Sequence, residues 1–415
     1  HNWKPGLPYE QVYTGWAYPP KDYSKWGKLV YEWVKHCVKR YGEAQVKTWW
    51  WEVWNEPNIG YWKGTPEEYF KLYDYAADAV KRACPGARIG GPTSTGPGWD
   101  YAATFLNDFL AHCAIGTNYA TGKTGSPLDY ISFHAKGSPK SVDGHVQMNM
   151  TTQLKDIDKG CAIIAASPFK KLPIIIGECD PEGCAACGMA TNPENAYRNG
   201  TMYSSYTVSS FARIDEIAKR YDVNIEGAVS WSFEFENQKW FYGFRDLATN
   251  GVDKPVLNVF RMYGMMAGDR VKVINDLSLS LDNIMRNGVR GTKTDVGATA
   301  SADTKSCTVM FWNYHDDDLP GNAAAIQLAI KNIPAKKMKV LLYKIDSSNS
   351  NSYELWKKMG SPQDVSSVQY GQLEQAGKLS ETIISDKAKA SSGKYNFNCS
   401  LPLQGVYLLK LEYIE

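Results

Sequence analysis

The protein is a chain of 415 residues with a formal net charge of +2, and charged residues make up 22% of it. This length has room for two domains, and so small a net charge does not indicate a surface that binds nucleic acid. The sequence also lacks an apolar run of the roughly 18 residues that a membrane span needs. The composition therefore favours a two-domain globular protein with neither a nucleic-acid nor a membrane partner.

Short apolar runs alternate with helical patterns through the first two thirds of the chain. The predicted strands are Val46–Glu56, Ala87–Pro92, Leu128–Ala135, Leu172–Cys179 and Ile225–Phe235. Three helices are also predicted. The first is Ser24–Tyr41 and the third is Ala196–Tyr221. The second starts at the capping box Thr65-Pro66-Glu67-Glu68 and stops before Pro85-Gly86. Such alternation predicts a parallel sheet in an α/β fold, and a repeat of about 40 residues favours a (β/α)8 TIM barrel over an open sheet.

The pattern changes after about Asp269. Short runs rich in β-branched and aromatic residues follow, separated by polar residues: Val271–Leu281, Thr308–Tyr314, Ala325–Ile330, Lys339–Ile345 and Val406–Tyr413. Their alternation is typical of antiparallel strands with one solvated face. We therefore predict a catalytic barrel domain over residues 1–268 and a β-sandwich over residues 269–415, with Ser347–Ser380 as a long loop or insertion.

Two glutamates follow predicted barrel strands. Residues 49–58 read WWWEVWNEPN and place Glu56 at the end of one strand, and LPIIIGE places Glu178 at the end of another. Barrel enzymes hold their chemistry at the carboxyl ends of the strands, so these carboxylates should share one pocket. An isolated glutamate is usually a loop residue or a helix cap. Two at matching strand ends instead predict glycoside hydrolysis, in which one carboxyl protonates the leaving oxygen and the other attacks the sugar or activates water.

The sequence resembles glycoside hydrolase family 39, within the clan of (β/α)8 retaining glycosidases. The motifs that carry the resemblance are Trp54-Asn55-Glu56-Pro57, Glu68–Tyr73, Gly90-Gly91-Pro92, Asp129–Ala135, Glu178 and Ser230–Phe233. The resemblance implies that Glu56 is the general acid/base and that Glu178 is the nucleophile of a double displacement. It covers nearly the whole chain, and the sandwich contributes least to it.

The resemblance also implies four substrate contacts. Asn55 would hydrogen-bond the sugar 2-hydroxyl, and His134 would face the pocket. Trp231 would lie beneath the sugar ring in its subsite, and Glu236 could hydrogen-bond sugar hydroxyls. Each of the last three has an ordinary alternative: a buried structural histidine, a core tryptophan and a solvated carboxylate. No cofactor and no metal are implied.

The predicted activity is that of an exo-acting β-xylosidase that releases xylose from xylo-oligosaccharides through a covalent glycosyl-enzyme. One alternative is another specificity of the same family, namely β-glucosidase, β-galactosidase, arabinopyranosidase or α-L-iduronidase. A second alternative is a non-catalytic carbohydrate-binding protein. The segment Cys179–Cys187 departs from the family pattern, and its three cysteines could form a disulfide, bind a metal or remain thiols.

The residues before Val46 are too few to supply the first strands of a complete barrel. If the resemblance holds, Glu56 ends the fourth barrel strand, yet only 45 residues precede Val46. Three strands and two helices need roughly 100 residues, so we expect five barrel strands here, with strands 1–3 supplied by a cleaved amino-terminal segment or a second chain. The first residues do not form a signal peptide. Three Asn-x-Ser/Thr sequons, at Asn149, Asn199 and Asn398, give weak support for the secreted or periplasmic location that we expect.

Overall fold

The computed structural model describes residues 17–184, 186–232 and 237–414. The chain divides into two compact units. The first takes in the described residues up to Lys136 with Lys155–Cys179 and Ile217–Ser230, and the second takes in the rest. These units do not coincide with the predicted domains 1–268 and 269–415, so that boundary stays a prediction. Within the described ranges, no helix is both long and apolar enough to cross a membrane.

The described residues contain the following elements in chain order. The helices are α1 (Tyr23–Tyr41), α2 (Glu43–Val46), α3 (Pro66–Ala83), α4 (Asp100–Ile115), α5 (Met150–Ala166), a 3-10 helix (Pro193–Asn199), α6 (Thr201–Tyr221), α7 (Pro255–Met265), α8 (Leu281–Asn287), α9 (Ser352–Lys358) and α10 (Ser367–Gly377). The strands are β1 (Trp50–Glu52), β2 (Arg88–Ser94), β3 (Tyr130–Lys136), β4 (Lys140–Val142), β5 (His145–Gln147), β6 (Pro173–Asp180), β7 (Asn224–Ala228), β8 (Ala248–Thr249), β9 (Val252–Asp253), β10 (Asp269–Arg270), β11 (Asp295–Ala302), β12 (Ser306–Tyr314), β13 (Ala324–Ile330), β14 (Lys337–Ile345), β15 (Ser380–Lys389), β16 (Tyr395–Leu401) and β17 (Val406–Ile414).

The first unit is built on a five-stranded sheet in the order β1-β2-β3-β6-β7. The pairs β1–β2, β2–β3 and β6–β7 are parallel. All five strands predicted from the alternation are present, so the expectation of a barrel-type parallel sheet is confirmed. Because the carboxyl ends of parallel strands in such a sheet lie at one edge, Glu56 after β1 and Glu178 near the end of β6 lie at the same edge.

Local sequence signals place the first helices. Asp22 caps α1 by accepting hydrogen bonds from the backbone N–H groups of Ser24 and Lys25 at 2.9 and 3.1 Å. The predicted capping box of α3 is present, since the Thr65 hydroxyl accepts from the Glu68 backbone at 3.2 Å and the Glu68 carboxylate accepts from the Thr65 backbone at 2.8 Å. Such a cap contributes about 1 kcal/mol to helix stability.

The four tryptophans at positions 49–54 surround β1. All four indoles are only half-buried. Among the described residues β1 pairs with β2 alone, so no described strand pairs with its other edge. The indoles contact neighbouring aromatic rings instead: Trp51 packs edge-on against Trp33, with ring centroids 5.7 Å apart. Trp54 packs against Trp62 at 5.2 Å.

The second unit contains the predicted β-sandwich. Its larger sheet has six strands in the order β10-β11-β12-β17-β14-β15, and β13 and β16 form a second, antiparallel pair. Phe311, Val340 and Leu409 of the six-stranded sheet pack in one buried cluster with Ile326 and Phe397 of the pair. Two sheets that share a core define the sandwich, and this prediction is confirmed.

Two assignments in the carboxyl-terminal region need correction: one predicted strand is wrong, and a segment left open as a loop or insertion is an insertion with helices. The predicted strand Val271–Leu281 is absent, because the backbone there bonds to side chains: the Leu279 N–H donates to the Asp295 carboxylate at 3.0 Å. Ile274 is 81% exposed, so the apolar run has no buried face. The segment Ser347–Ser380, expected as a loop or insertion, contains α9 and α10. These helices pack through Trp356 and Leu373 into a small separate core.

Asp156 of α5 is a half-buried carboxylate that contacts the loop after β2, and it makes stability depend on pH. It accepts a hydrogen bond from the Gly98 N–H at 2.9 Å, but burial disfavours its charge and raises its pKa from 3.8 to about 6. The folded protein therefore binds this proton more tightly than the unfolded chain. This group's contribution to the free energy of unfolding falls as the pH rises from about 4 to above 6, by an amount on the order of 1–3 kcal/mol.

The variant Asp156→Asn removes this titration while keeping a carbonyl oxygen as acceptor. Urea unfolding at pH 4 and pH 7 should show the parent losing stability relative to the variant as the pH rises. An equal stability difference at both pH values would contradict a raised pKa at Asp156.

Candidate active site

Glu56 sits in a tight turn directly after β1. Trp54 and Glu56 both adopt positive φ angles, 74° and 48°, which non-glycine residues rarely do without support from their surroundings. That support comes from the end of β2 and from the loop that follows it. The Glu56 N–H donates to the Thr93 carbonyl at 2.9 Å. The Asn58 side chain accepts from the Thr95 N–H at 3.0 Å and donates to the Thr95 hydroxyl at 2.6 Å. The turn is thus fixed by hydrogen bonds.

His134 of β3 lies between the two predicted catalytic carboxylates. Its Nδ1 is 2.8 Å from Glu56 Oε1 and 3.7 Å from Glu178 Oε2. The ring is buried, with 1% of the residue exposed. Gly177, just before Glu178, leaves room for it: a Cβ at that position would lie 3.3 Å from His134 Nε2. The histidine therefore faces the carboxylates rather than a purely apolar core.

Lys136 completes this cluster. It follows His134 by two residues on β3, so both side chains project from the same face of the sheet. Its ammonium Nζ is 2.6 Å from Glu178 Oε2. The sequence motifs did not single out Lys136, although the two-residue period from His134 was a signal that could have found it. Lysine beside glutamate makes a charge-assisted hydrogen bond that fixes the carboxylate.

The geometry brings the two glutamates close together. One ligand atom each from Glu56, His134 and Glu178 lie within 4.8 Å of one another. Two carboxylates and an imidazole are donors that Zn²⁺ or Fe²⁺ can use. The Lys136 ammonium already contacts Glu178, however, and a divalent ion there would meet its positive charge. The arrangement suits proton transfer and nucleophilic attack by the carboxylates themselves.

The structure places the other predicted substrate-binding residues in different surroundings. Asn55 is exposed beside Glu56 in the turn after β1. Trp231 belongs to the second unit and is 44% exposed, so it is not a core residue. Its backbone is held by Asp180 and Arg245: its N–H donates to Asp180 Oδ2 at 3.3 Å, and its carbonyl accepts from Arg245 at 3.1 Å. Glu236 lies outside the described residues. The binding roles of these residues and of His134 stay predictions.

The cysteine-rich segment after β6 contains a disulfide. Cys184 and Cys187 form a disulfide, and Cys179 of β6 is buried. Buried arginines anchor the segment in the second unit: Arg198 donates to the Cys184 carbonyl at 2.8 Å, and Arg245 pairs with Glu182 at 2.7 Å. Of the three states that the sequence left open, the structure therefore shows the disulfide, formed by Cys184 and Cys187.

Comparison with known proteins identifies the family. The family model described as Glycosyl hydrolases family 39 matches residues 5–393. A β-xylosidase of Caldicellulosiruptor saccharolyticus is 28% identical over 403 residues, which cover 93% of this chain and 71% of the relative. An α-L-iduronidase of Mus musculus is 24% identical over 372 residues, covering 84% of this chain and 56% of the relative.

The fold agrees with this assignment. The crystal structure of a monomeric β-xylosidase from Caulobacter crescentus CB15 superposes with a TM-score of 0.70 at 20% identity, and the match covers 96% of this chain and 76% of that one. At this identity the likeness supports the fold alone, a barrel with a carboxyl-terminal sandwich. The family model spans nearly the whole sequence. The chain is therefore a glycosidase that belongs to glycosyl hydrolases family 39.

Proposed function

We propose that the protein is a retaining glycosidase in which Glu178 is the nucleophile and Glu56 is the general acid/base. The observation that carries this proposal is the approach of the two carboxylates, whose nearest oxygens lie within 4.8 Å. Retaining enzymes hold their carboxyl groups about 5–5.5 Å apart, whereas inverting enzymes need about 6.5–9.5 Å to admit a water. The spacing here favours direct attack by a carboxylate.

The proposed reaction has two displacements. Glu178 attacks the anomeric carbon while Glu56 gives its proton to the leaving oxygen, so the glycosidic bond breaks as an ester to Glu178 forms. Water then attacks the anomeric carbon, Glu56 takes a proton from that water, and the Glu178 carboxylate is released. The hydrogen bond between His134 Nδ1 and Glu56 Oε1 orients Glu56, and Asn55 beside it would bond the sugar 2-hydroxyl in the transition state.

For the substrate we propose xylo-oligosaccharides, from which an exo-acting β-xylosidase removes a terminal xylose, as in xylan degradation. Support comes from relatives described as β-xylosidases, at 28% and 27% identity over 93% and 96% of this chain. The disulfide Cys184–Cys187 suits the secreted or periplasmic location that we propose, because disulfides persist in oxidising compartments.

A panel of 4-nitrophenyl glycosides tests the specificity, and the β-xyloside should give the highest kcat/KM. Proton NMR of the first-formed sugar, recorded before mutarotation, tests the mechanism. A β-xyloside should release β-xylose first. Release of α-xylose would contradict retention, and preference for another glycoside in the panel would contradict the substrate assignment.

A second candidate specificity is that of an α-L-iduronidase. The observation that favours it is the Lys136 ammonium beside Glu178, because a cation in the site could pair with the carboxylate of a uronic acid. Proteins described as α-L-iduronidases are also similar to the chain. A 4-methylumbelliferyl α-L-iduronide in the same panel distinguishes the two. Turnover of the iduronide above that of the β-xyloside would establish the second candidate.

Lys136 is expected to position Glu178 for attack. Replacing it with methionine keeps the length of the side chain but removes a charge-assisted hydrogen bond, which is worth about 1.5–3 kcal/mol. We predict a loss of about 10- to 100-fold in kcat/KM for 4-nitrophenyl β-xyloside. The matched control is Lys171→Met, because Lys171 forms an exposed pair with Asp222. Equal activities of the two variants would show that Lys136 has no part in the reaction.

We also propose that further strands complete the barrel beside β1 and β7, the two ends of the described five-stranded sheet. Unpaired strand edges expose backbone donors and acceptors that another strand can satisfy. The strands would come from a further segment of the polypeptide or from a second chain. Activity of the 415-residue chain should rise when a polypeptide carrying those strands is co-expressed, and unchanged activity would contradict the proposal.

A further inference from the structure

Two aromatic side chains are exposed where the loop after β2 enters α4. Trp99 is 54% exposed and Tyr101 is 45% exposed. Their ring centroids lie 5.4 Å apart with the planes tilted by 52°. A single exposed aromatic residue on a protein surface is ordinary. A neighbouring pair, with Trp99 at the end of the loop and Tyr101 in the first turn of α4, can bind a ligand if the backbone that carries it is fixed.

Close packing on Asp156 holds this loop in place. The Gly98 N–H donates to Asp156 Oδ1 at 2.9 Å. Any side chain at Gly96 or Gly98 would collide with that carboxylate, since an added Cβ would lie 2.1 and 2.4 Å from its oxygens. At the start of α4, the Trp99 carbonyl accepts from the Ala103 N–H at 2.9 Å. The Trp99 backbone is therefore fixed on both sides.

The same loop is joined to the turn that carries Glu56. Its residue Thr95 exchanges two hydrogen bonds with Asn58, and Thr93 at the end of β2 accepts from the Glu56 N–H. The aromatic pair thus follows the strand next to β1, at the edge of the sheet where the acid/base lies. In the proposed reaction Glu56 protonates the leaving oxygen, so the leaving-group sugar lies on the Glu56 side of the bond that breaks.

We infer that Trp99 and Tyr101 form a binding platform for the leaving-group sugar of an oligosaccharide substrate. This inference rests on the proposed function and adds a second subsite to it. Pyranose rings present C–H faces that pack against aromatic faces, and a rigid indole loses little conformational freedom on binding. The platform binds the part of the substrate that departs with the protonated oxygen, so it selects oligosaccharides over simple glycosides.

The experiment compares two substrates that share the attacked sugar. Xylotriose carries a leaving-group sugar, whereas β-xylosyl fluoride has only fluoride in that place. Trp99→Ala and Tyr101→Ala should each lower kcat/KM for xylotriose by about 10-fold or more while leaving that for the fluoride within about twofold. Trp99→Phe, which keeps a ring, should recover most of the loss. The matched control is Trp33→Ala, since Trp33 is 58% exposed on α1.

The outcomes distinguish a failure of the proposed function from a failure of the aromatic platform. If the unmodified chain does not hydrolyse β-xylosyl fluoride, the proposed function fails. If the chain hydrolyses the fluoride, yet the alanine variants process xylotriose as the parent does, the platform is refuted. Equal losses on both substrates would also refute it, because they would show that the rings support the fold of the site rather than bind sugar.

Discussion

Replacing Glu178 with alanine is expected to abolish hydrolysis of every glycoside that the protein accepts. No carboxylate remains to attack the anomeric carbon, because Glu56 is held by His134 at 2.8 Å and its proton is committed to the leaving oxygen. Loss of a nucleophile costs at least about 10⁴-fold in kcat. The substitution also opens space beside Lys136 and His134, the two cationic or polar groups that faced the lost carboxylate.

That space allows a test by chemical rescue. Azide, a small anion, should enter beside Lys136 and attack a substrate with a good leaving group, such as 2,4-dinitrophenyl β-xyloside. The product should be α-xylosyl azide, since a single displacement inverts the anomeric centre. Glu52→Ala is the matched control, because Glu52 is exposed on β1 and should tolerate the change. A β-configured azide from the Glu178 variant would exclude Glu178 as the nucleophile.

The sequence predicted those features that depend on local or periodic patterns. The capping box at Thr65 needs only four neighbouring residues, and it forms as expected. Glu56 and Glu178 could be brought together without coordinates, because the carboxyl ends of parallel strands meet at one edge of a sheet. Their common contact with His134 confirms that geometry. The roles of the two glutamates remain for the variants to test.

Features that depend on tertiary packing could not be predicted from the chain. The strand β11 contains glycine, alanine and serine, a composition that favours no strand, yet Gly297 provides the space in which the Trp312 ring packs. Conversely, Val271–Leu281 has the composition of a strand but finds no buried face. Lys136 was predictable only in part. Its side chain lies on the same face of β3 as that of His134, which follows from the two-residue period of a strand. Its contact with Glu178 depends on the spacing between β3 and β6, which the sequence does not reveal.

Replacing Glu56 with alanine is expected to affect substrates according to their leaving groups. A natural xylo-oligosaccharide leaves as an alkoxide unless it is protonated, and general acid catalysis supplies about 10²- to 10⁴-fold. The variant should lose that factor in kcat/KM for xylobiose. For 2,4-dinitrophenyl β-xyloside, whose phenolate leaves without a proton, kcat/KM should fall by less than about 10-fold. Glu52→Ala again serves as the control.

The same variant should accumulate the glycosyl-enzyme, because Glu56 also takes the proton from the attacking water. A burst of dinitrophenol should therefore precede slow turnover, and azide should relieve it, since azide needs no general base. This azide product forms by a second displacement at the carbon held by Glu178, so it should be β-xylosyl azide, opposite in configuration to the product of the Glu178 variant. Equal losses of kcat/KM on xylobiose and the dinitrophenyl substrate would show that Glu56 is not the acid. An α-azide would show that Glu178 does not carry the sugar, and the 4.8 Å approach of the two carboxylates would then need another explanation.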